Sequence, residues 1–327
     1  MHVATAQSPG RLIYDGPQEL RANQLFTATL EVELAQTVEA GGRIVLATRH
    51  VSDIGDPQTD DLECENHVRV VAPRPNVELV LGPALDWQRS PWNRGIELQL
   101  VKGHLAAGDR LVVHLGEGIG FRCQSFVEDA FRFCLGVDTS GDGDWAVAGP
   151  EEGPAIRILG NHTVALAAVL NDASGPGRKR LVIKAEDTYG NPAGMVPEEV
   201  QVFLDDGTLL THAALRADGG TTVEVDIPDD GAAHRVIVQD DSGALSTTSN
   251  PSAPAALAGQ RLFFGDIHAQ SGLCDGTGSP SSIYEYAREC AGLDFAAITS
   301  HDFLLTDDDW QAITDATRRA NQPGRFV

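Results

Sequence analysis

Basic residues are scarce in this chain: 24 Lys and Arg stand against 47 Asp and Glu, a formal charge of -23. Such a balance keeps a protein soluble and repels nucleic acid and anionic membranes, so neither is expected as a partner. A polyanionic substrate would need a local metal or arginine cluster. Cysteine is equally thin. The five, Cys64, Cys123, Cys134, Cys274 and Cys290, are odd in number and include no Cys-x-x-Cys pair, which argues against a disulfide framework and a thiolate zinc site. Cys123 and Cys134 could face each other across a hairpin, but buried free thiols are the expected state. Residues 1–10 lack the basic and apolar regions of a signal peptide, and no long uncharged apolar run follows. A cytoplasmic location is therefore expected.

No helix-period stretch interrupts residues 24–137 either. What is present there is a series of short alternating apolar runs at Leu25–Leu34, Arg43–Thr48, His67–Val71, Val77–Leu81, Ile96–Val101, Leu111–Leu115 and Phe131–Val137. Period-two patterning broken by Gly, Pro, Asp and Asn predicts antiparallel strands packed as a sandwich. Two features in this half invite a ligand. Asp138, Asp142 and Asp144 alternate around glycines like the start of a calcium loop, but Gly149 stands where the bidentate Glu would be, so an acidic turn is expected. Trp87 and Trp92 could form a sugar platform, yet large aromatics mostly supply buried area, and a covering role is expected.

Gly149 to Pro154 punctuates the chain, and a second β pattern follows: Ile156–Leu159, Val164–Leu170, Leu181–Ala185, Val200–Leu204, Thr222–Ile227 and Arg235–Val238. Its number and spacing suit an immunoglobulin-like sandwich. The turn Asp187-Thr-Tyr-Gly-Asn191-Pro192 resembles one common in bacterial immunoglobulin-like repeats. Residues 249–259 have the small, proline-spaced composition of a linker. The expected organisation is a β-sandwich over 1–150, an immunoglobulin-like sandwich over 151–250, a linker over 251–260 and a partial α/β unit over 261–327.

In that last unit Leu262–Ile267 reads as a strand buried on both faces of a parallel sheet. Ser279 and Pro280 then suit the N-cap and first position of a helix whose apolar stripe is Ile283, Tyr286, Ala287, Cys290 and Ala291, with Gly292 ending it. Leu293–Thr299 predicts a second strand, Thr306 caps a second helix, and Arg325–Val327 looks like a third strand beginning. His268 and His301 each fall just past a strand, where parallel sheets place their sites. Imidazoles there suit zinc, manganese or iron, with Gln270 and Asp275 completing the set and Asp266 and Asp302 orienting the rings. A strand-end histidine is also a common packing residue.

The segments Gly265-Asp-Ile-His268-Ala-Gln270-Ser-Gly-Leu-Cys-Asp275-Gly-Thr-Gly, Ala291-Gly-Leu-Asp-Phe-Ala-Ala-Ile-Thr and Ser300-His301-Asp302 resemble the opening of the polymerase and histidinol phosphatase (PHP) superfamily. More narrowly they resemble an uncharacterised bacterial branch with β-sandwich domains in front. The resemblance covers about the last 65 residues. It implies the start of a distorted (β/α)7 barrel that holds divalent metals and hydrolyses phosphate esters, with a small phosphorylated substrate. By position His268 matches the first histidine of the opening motif, Asp275 its acidic ligand and His301 the histidine of the second motif. Gln270 stands where a second histidine is usual, and Ser300 replaces an Asp. The family's later ligands would lie beyond Val327, so a C-terminally truncated chain with an incomplete metal site, inactive as a fragment, is expected. The competing expectation is a sandwich binding or adhesion module carrying a degenerate, non-catalytic PHP remnant.

Overall fold

The computed structural model describes residues 8–84, 87, 89–149, 152–171, 177–252 and 263–327. The chain is mainly β and divides into two compact units, Met1–Ile158 and Leu159–Val327. Among the described residues no helix is long and apolar enough to cross a membrane.

In the first unit, alternation does what the sequence predicts. Ala28, Leu30, Val32 and Leu34 of strand Ala28–Leu34 are buried, while the residues between them are half-buried. This strand lies in an antiparallel four-stranded sheet ordered Gly10–Asp15, Ala28–Leu34, Arg110–Leu115, Val68–Val71. A five-stranded antiparallel sheet runs Trp145–Val147, Cys134–Asp138, Arg43–Thr48, Arg94–Lys102, Glu78–Pro83. Leu30, Val32, Leu111 and Val113 from one sheet share a single core with Ile44, Leu46, Leu98 and Leu135 from the other, as in a sandwich.

Strand Arg43–Thr48 is buried on both faces, because Trp87, Trp92 and Ala84 cover Val45 and Ala47 on the outer side. Trp87 and Trp92 are 1% and 9% exposed, so they cover the sheet and offer no open sugar platform. The Asp138 loop likewise takes its bland form. Asp138 is fully buried, accepts N–H bonds from Gly141 at 2.8 Å and Gly143 at 2.9 Å, and pairs with Arg43 at 2.8 Å. Both of its oxygens are engaged in closing the turn and pairing with Arg43. Cys123 and Cys134 are buried free thiols, and desolvation pushes both up to about 12.

The sequence reading merged some strands and passed over others. The run Phe131–Val137 is in fact the end of Glu128–Phe131 and most of Cys134–Asp138, separated by two residues that belong to neither strand. Short strands such as Glu19–Arg21, Phe121–Arg122 and Ser246–Thr248 have too few residues for alternation to register.

The second unit opens with another antiparallel sandwich. Strands Ala165–Asn171, Arg178–Glu186 and Gly220–Asp226 form one sheet, and Leu209–Ala214, Glu199–Leu204, Val236–Asp240 and Ser246–Thr248 the other. Their inward side chains, among them Leu181, Ile183, Val200, Val202 and Val238, form one core. Asp187 organises the Asp187–Pro192 turn by accepting N–H bonds from Tyr189 at 2.8 Å, Asn191 at 3.0 Å and Asn161 at 2.9 Å. The predicted linker lies mostly outside the described residues, as does Leu262 of the predicted strand.

Beyond it, strands Gly265–Ala269 and Phe295–Ile298 pair in parallel, Gly265 opposite Phe295 and Ala269 opposite Ile298, with a bulge between Asp266 and Ala269. Helix α1, Pro280–Glu289, connects them; Ser279 caps it by accepting the Ser282 N–H at 3.1 Å. Helix α2, Asp307–Ala320, starts with a reciprocal Thr306–Asp309 capping box. Tyr284 and Ala287 of α1 meet Ala316 and Ala320 of α2 and Phe326, with Ala296 and Ile298 beneath. Val327 donates to the Asp294 carbonyl and accepts from the Ala296 N–H, both at 3.0 Å, which is the two-bond pattern of a parallel neighbour.

Two expectations need correction here. Strand Gly265–Ala269 is not buried on both faces: Ile267 is 69% exposed, because α1 and α2 pack on the Phe295–Ile298 side. The stripe on α1 is also split. Tyr284 and Ala287 face α2, whereas Tyr286 turns to the sandwich, its hydroxyl accepting from Lys184 at 3.1 Å. One helix therefore serves two neighbours, and no single stripe describes it.

Candidate functional site

The site forms where the two parallel strands end. After Ala269 the chain turns tightly: the Ser271 carbonyl accepts the N–H groups of Cys274 at 3.0 Å and Gly276 at 3.1 Å. Gly276 is required here, since a Cβ would lie 2.1 Å from the Gln270 carbonyl oxygen. This turn presents the side chains of Cys274 and Asp275 toward the end of the neighbouring strand. There Thr299 continues the ladder by donating to the Ala269 carbonyl at 2.8 Å, and His301 follows two residues later.

His301 is the hub. Its Nδ1 lies 2.5 Å from Asp275 Oδ2, its backbone N–H donates to Cys274 Sγ at 3.2 Å, and its Nε2 is 3.5 Å from Gln270 Nε2. Cys274 Sγ is in turn 3.5 Å from Gln270 Oε1. Ligand atoms of Cys274, Asp275 and His301 all lie within 4.8 Å of one another. The His301 ring stacks on Phe303 at 5.5 Å and 11°, which restrains its plane. Burial is graded: Cys274 is fully enclosed, the Asp275 side chain is 16% exposed and that of His301 47%. The His301 side chain can therefore meet a solute, while the Cys274 sulfur is shut off from it.

Three of the four residues expected as ligands, Gln270, Asp275 and His301, come together. His268 stands apart from that group. It is exposed on the bulged strand, and its backbone N–H donates to Asp266 Oδ1 at 2.8 Å. Asp266 thus shapes the bulge and is not bonded to the ring of His301. Asp302, expected to orient an imidazole, opens the short turn Asp302–Leu304 and is exposed. The side chain bonded to the His301 ring is that of Asp275, with Oδ2 2.5 Å from Nδ1. A carboxylate on Nδ1 fixes the tautomer and leaves Nε2 as the electron-pair donor, a common support for metal-binding histidines. Cys274, which the structure brings beside these residues, has no sequence signal, because without a Cys-x-x-Cys partner a single thiol does not stand out.

The donor set, imidazole nitrogen, thiol sulfur, carboxylate and amide, suits a borderline-soft divalent ion such as zinc. Ser300 Oγ, adjacent to His301, is buried with no hydrogen-bond partner among the described residues. The loop cradle is rigidly tied to the second sandwich through Asp294, which precedes the Phe295–Ile298 strand. Its two oxygens accept from Asn171 Nδ2 at 2.9 Å and from the Phe264 N–H at 2.8 Å. Asn171 Nδ2 also donates to the Gly292 carbonyl at 2.9 Å. Arg180 adds a bond to the Arg288 carbonyl at 2.7 Å at the end of α1. No protein-family model and no curated protein matches the sequence.

Proposed function

We propose that this chain carries the opening of a PHP-type metal-dependent hydrolase acting on phosphate esters, with two β-sandwiches in front. The observation that carries the reading is the Asp275–His301 pair at the end of a parallel β-α-β element, with Gln270 and Cys274 beside it. His301 would hold a divalent ion through Nε2, Asp275 at Nδ1 would select the tautomer with its lone pair on Nε2 and aim the ring, and Gln270 would supply an amide oxygen. A bound divalent ion supplies Lewis acidity and lowers the pKa of a coordinated water. The negative charge of the chain makes such an ion the natural partner for a small phosphorylated substrate, since 47 acids otherwise repel it. The polarity of the element also supports this reading: loops at the carboxyl ends of parallel strands are where sites collect.

A second reading is favoured by one observation. His268 lies outside the cluster, so the remnant could be degenerate and the sandwiches a binding or adhesion module. Metal content of the full chain separates the two. Equilibration with zinc or manganese, desalting and elemental analysis should find an ion retained by the wild type and lost from His301→Ala. Release of phosphate from an aryl phosphate by the loaded chain then tests the substrate class. Absence of any retained divalent ion would sink the hydrolase reading, and glycan or protein binding by the same preparation would support the second.

A further inference from the structure

We propose that Cys274 is a thiolate ligand of the ion held by His301, and that this sulfur makes the site select zinc over manganese or magnesium. The inference rests on the metal-site reading above and adds a residue and a selectivity to it. The scarcity of paired cysteines had argued against a thiolate zinc site. The tertiary fold instead assembles a mixed one, from a loop and a strand end 27 residues apart.

Geometry comes first. Cys274 and Asp275 are consecutive, yet the turn closed on the Ser271 carbonyl lets both reach His301: the carboxylate meets Nδ1, and the sulfur approaches the backbone. Tetrahedral zinc with Zn–S of about 2.3 Å and Zn–N of about 2.0 Å brings sulfur and nitrogen to roughly 3.5 Å. One ligand atom each of Cys274, Asp275 and His301 already lies within 4.8 Å of the others, and side-chain rotation would have to close the remaining gap.

The sulfur is held in place by polar neighbours. The His301 N–H points at it from 3.2 Å. Gln270 adapts to either state. Its Oε1 faces Sγ at 3.5 Å and accepts from a neutral thiol, while its Nε2 faces His301. Turning the amide by half a revolution would put N–H on a thiolate and carbonyl oxygen toward the His301 side. Ion binding forms a metal–sulfur bond, breaks the S–H bond and releases that proton to solvent. A fully buried thiolate would be costly alone and is offset by a divalent ion beside it.

Selectivity follows from ligand chemistry. Sulfur and imidazole favour zinc, whereas magnesium and manganese prefer oxygen donors. Cys123 and Cys134, the other fully enclosed thiols, belong to no such His–Asp group among the described residues. Their thiols, pushed up to about 12 by burial, stay protonated near neutral pH.

Cobalt(II) is the probe, because a cobalt–thiolate bond gives an intense near-ultraviolet charge-transfer absorption that oxygen and nitrogen ligands lack. The full chain is titrated with cobalt(II), and bound ion is measured by elemental analysis in parallel. The expected result is a bound ion with that absorption in the wild type, and loss of the absorption in Cys274→Ser. Zinc affinity should fall by roughly tenfold or more in Cys274→Ser, since even supporting groups around a ligand commonly cost that much, while manganese affinity changes little. Cobalt bound to the wild type without charge-transfer absorption overturns the role of Cys274 and leaves the metal site standing. Failure of the wild type to bind cobalt or zinc overturns both. The wild-type spectrum decides the matter even if the serine variant does not fold.

Discussion

Asp294 ties the α/β element to the second sandwich through Asn171, and removing it gives the sharpest test of that anchor. The residue is 5% exposed and lies between α1 and the strand that leads to His301. In Asp294→Ala, Asn171 Nδ2 loses one of its two acceptors inside the protein, and the Phe264 N–H loses its side-chain acceptor. A buried donor left unsatisfied costs about 1–3 kcal/mol; Phe264 is half-open to water and its N–H would cost toward the low end. The expected loss is about 2–4 kcal/mol, confined to the α/β element. Hydrogen exchange by mass spectrometry reads this directly. At about 1.4 kcal/mol per factor of ten, amides of 263–298 should exchange roughly 30-fold to several-hundred-fold faster, while strand Ala28–Leu34 in the other unit is unchanged. Asn171→Ala should act on the same amides, and the double variant should fall short of the sum by about 0.5–3 kcal/mol, since the two share one hydrogen bond. Exchange in Asp294→Ala within threefold of wild type, or strict additivity with Asn171→Ala, would refute the idea that this pair anchors the cradle to the sandwich.

Gly292→Ala should destabilise the second unit by about 2 kcal/mol: φ is +67°, and an added Cβ would sit 2.9 Å from Val169 Cβ. An unchanged melting temperature would contradict the close approach of that turn to the sandwich. Thr306→Ala removes the reciprocal cap of α2 and should cost about 1 kcal/mol, seen as faster exchange in its first turn, with Thr306→Ser near neutral. Acid should weaken both units. Burial of Asp138 and Asp187 acts to raise their pKa values, but it is outweighed, for Asp138 by Arg43 and backbone N–H donors and for Asp187 by the Asn161 N–H and the Asn191 side chain. Both carboxyls thus titrate below the unfolded value of about 3.9. Their contribution is complete above that value and is lost as pH falls through the lower folded one. Urea midpoints measured from pH 6 downward should therefore drop below about pH 4, and Asp187→Asn should flatten that drop. An identical pH profile in the variant would count against the assignment.

Much of the architecture was legible because it depends on local rules. Arg43–Thr48 and Ile156–Leu159 were read with their observed limits, since alternation or continuous burial governs every residue in them. Ser279, Pro280, Gly292 and Thr306 were legible for the same reason: caps and left-handed turns depend on a few adjacent residues. Strand Gly10–Asp15 was missed because its buried residues, Leu12 and Tyr14, are only two, too few to show a period. The α1 stripe was misphased because the helix has two neighbours, and sequence periodicity assumes one.

Within the candidate site the division is similar. Sequence alone put His301 past the end of one strand and Gln270 and Asp275 past the end of another, because strand and loop signals are short-range. It named Asp275 and did not single out Cys274, since which side chains meet His301 is not decided by spacing along the chain. Only the tertiary structure decided that Asp275 bonds to His301 Nδ1, that Cys274 Sγ accepts the His301 backbone N–H, and that His268 stands aside on a bulge. The physical reason is that a hydrogen bond between residues 26 positions apart depends on strand register and on how tightly one turn closes. Both are set by the parallel pairing and by Asp294 bonding to Asn171 of the sandwich, which no local pattern encodes.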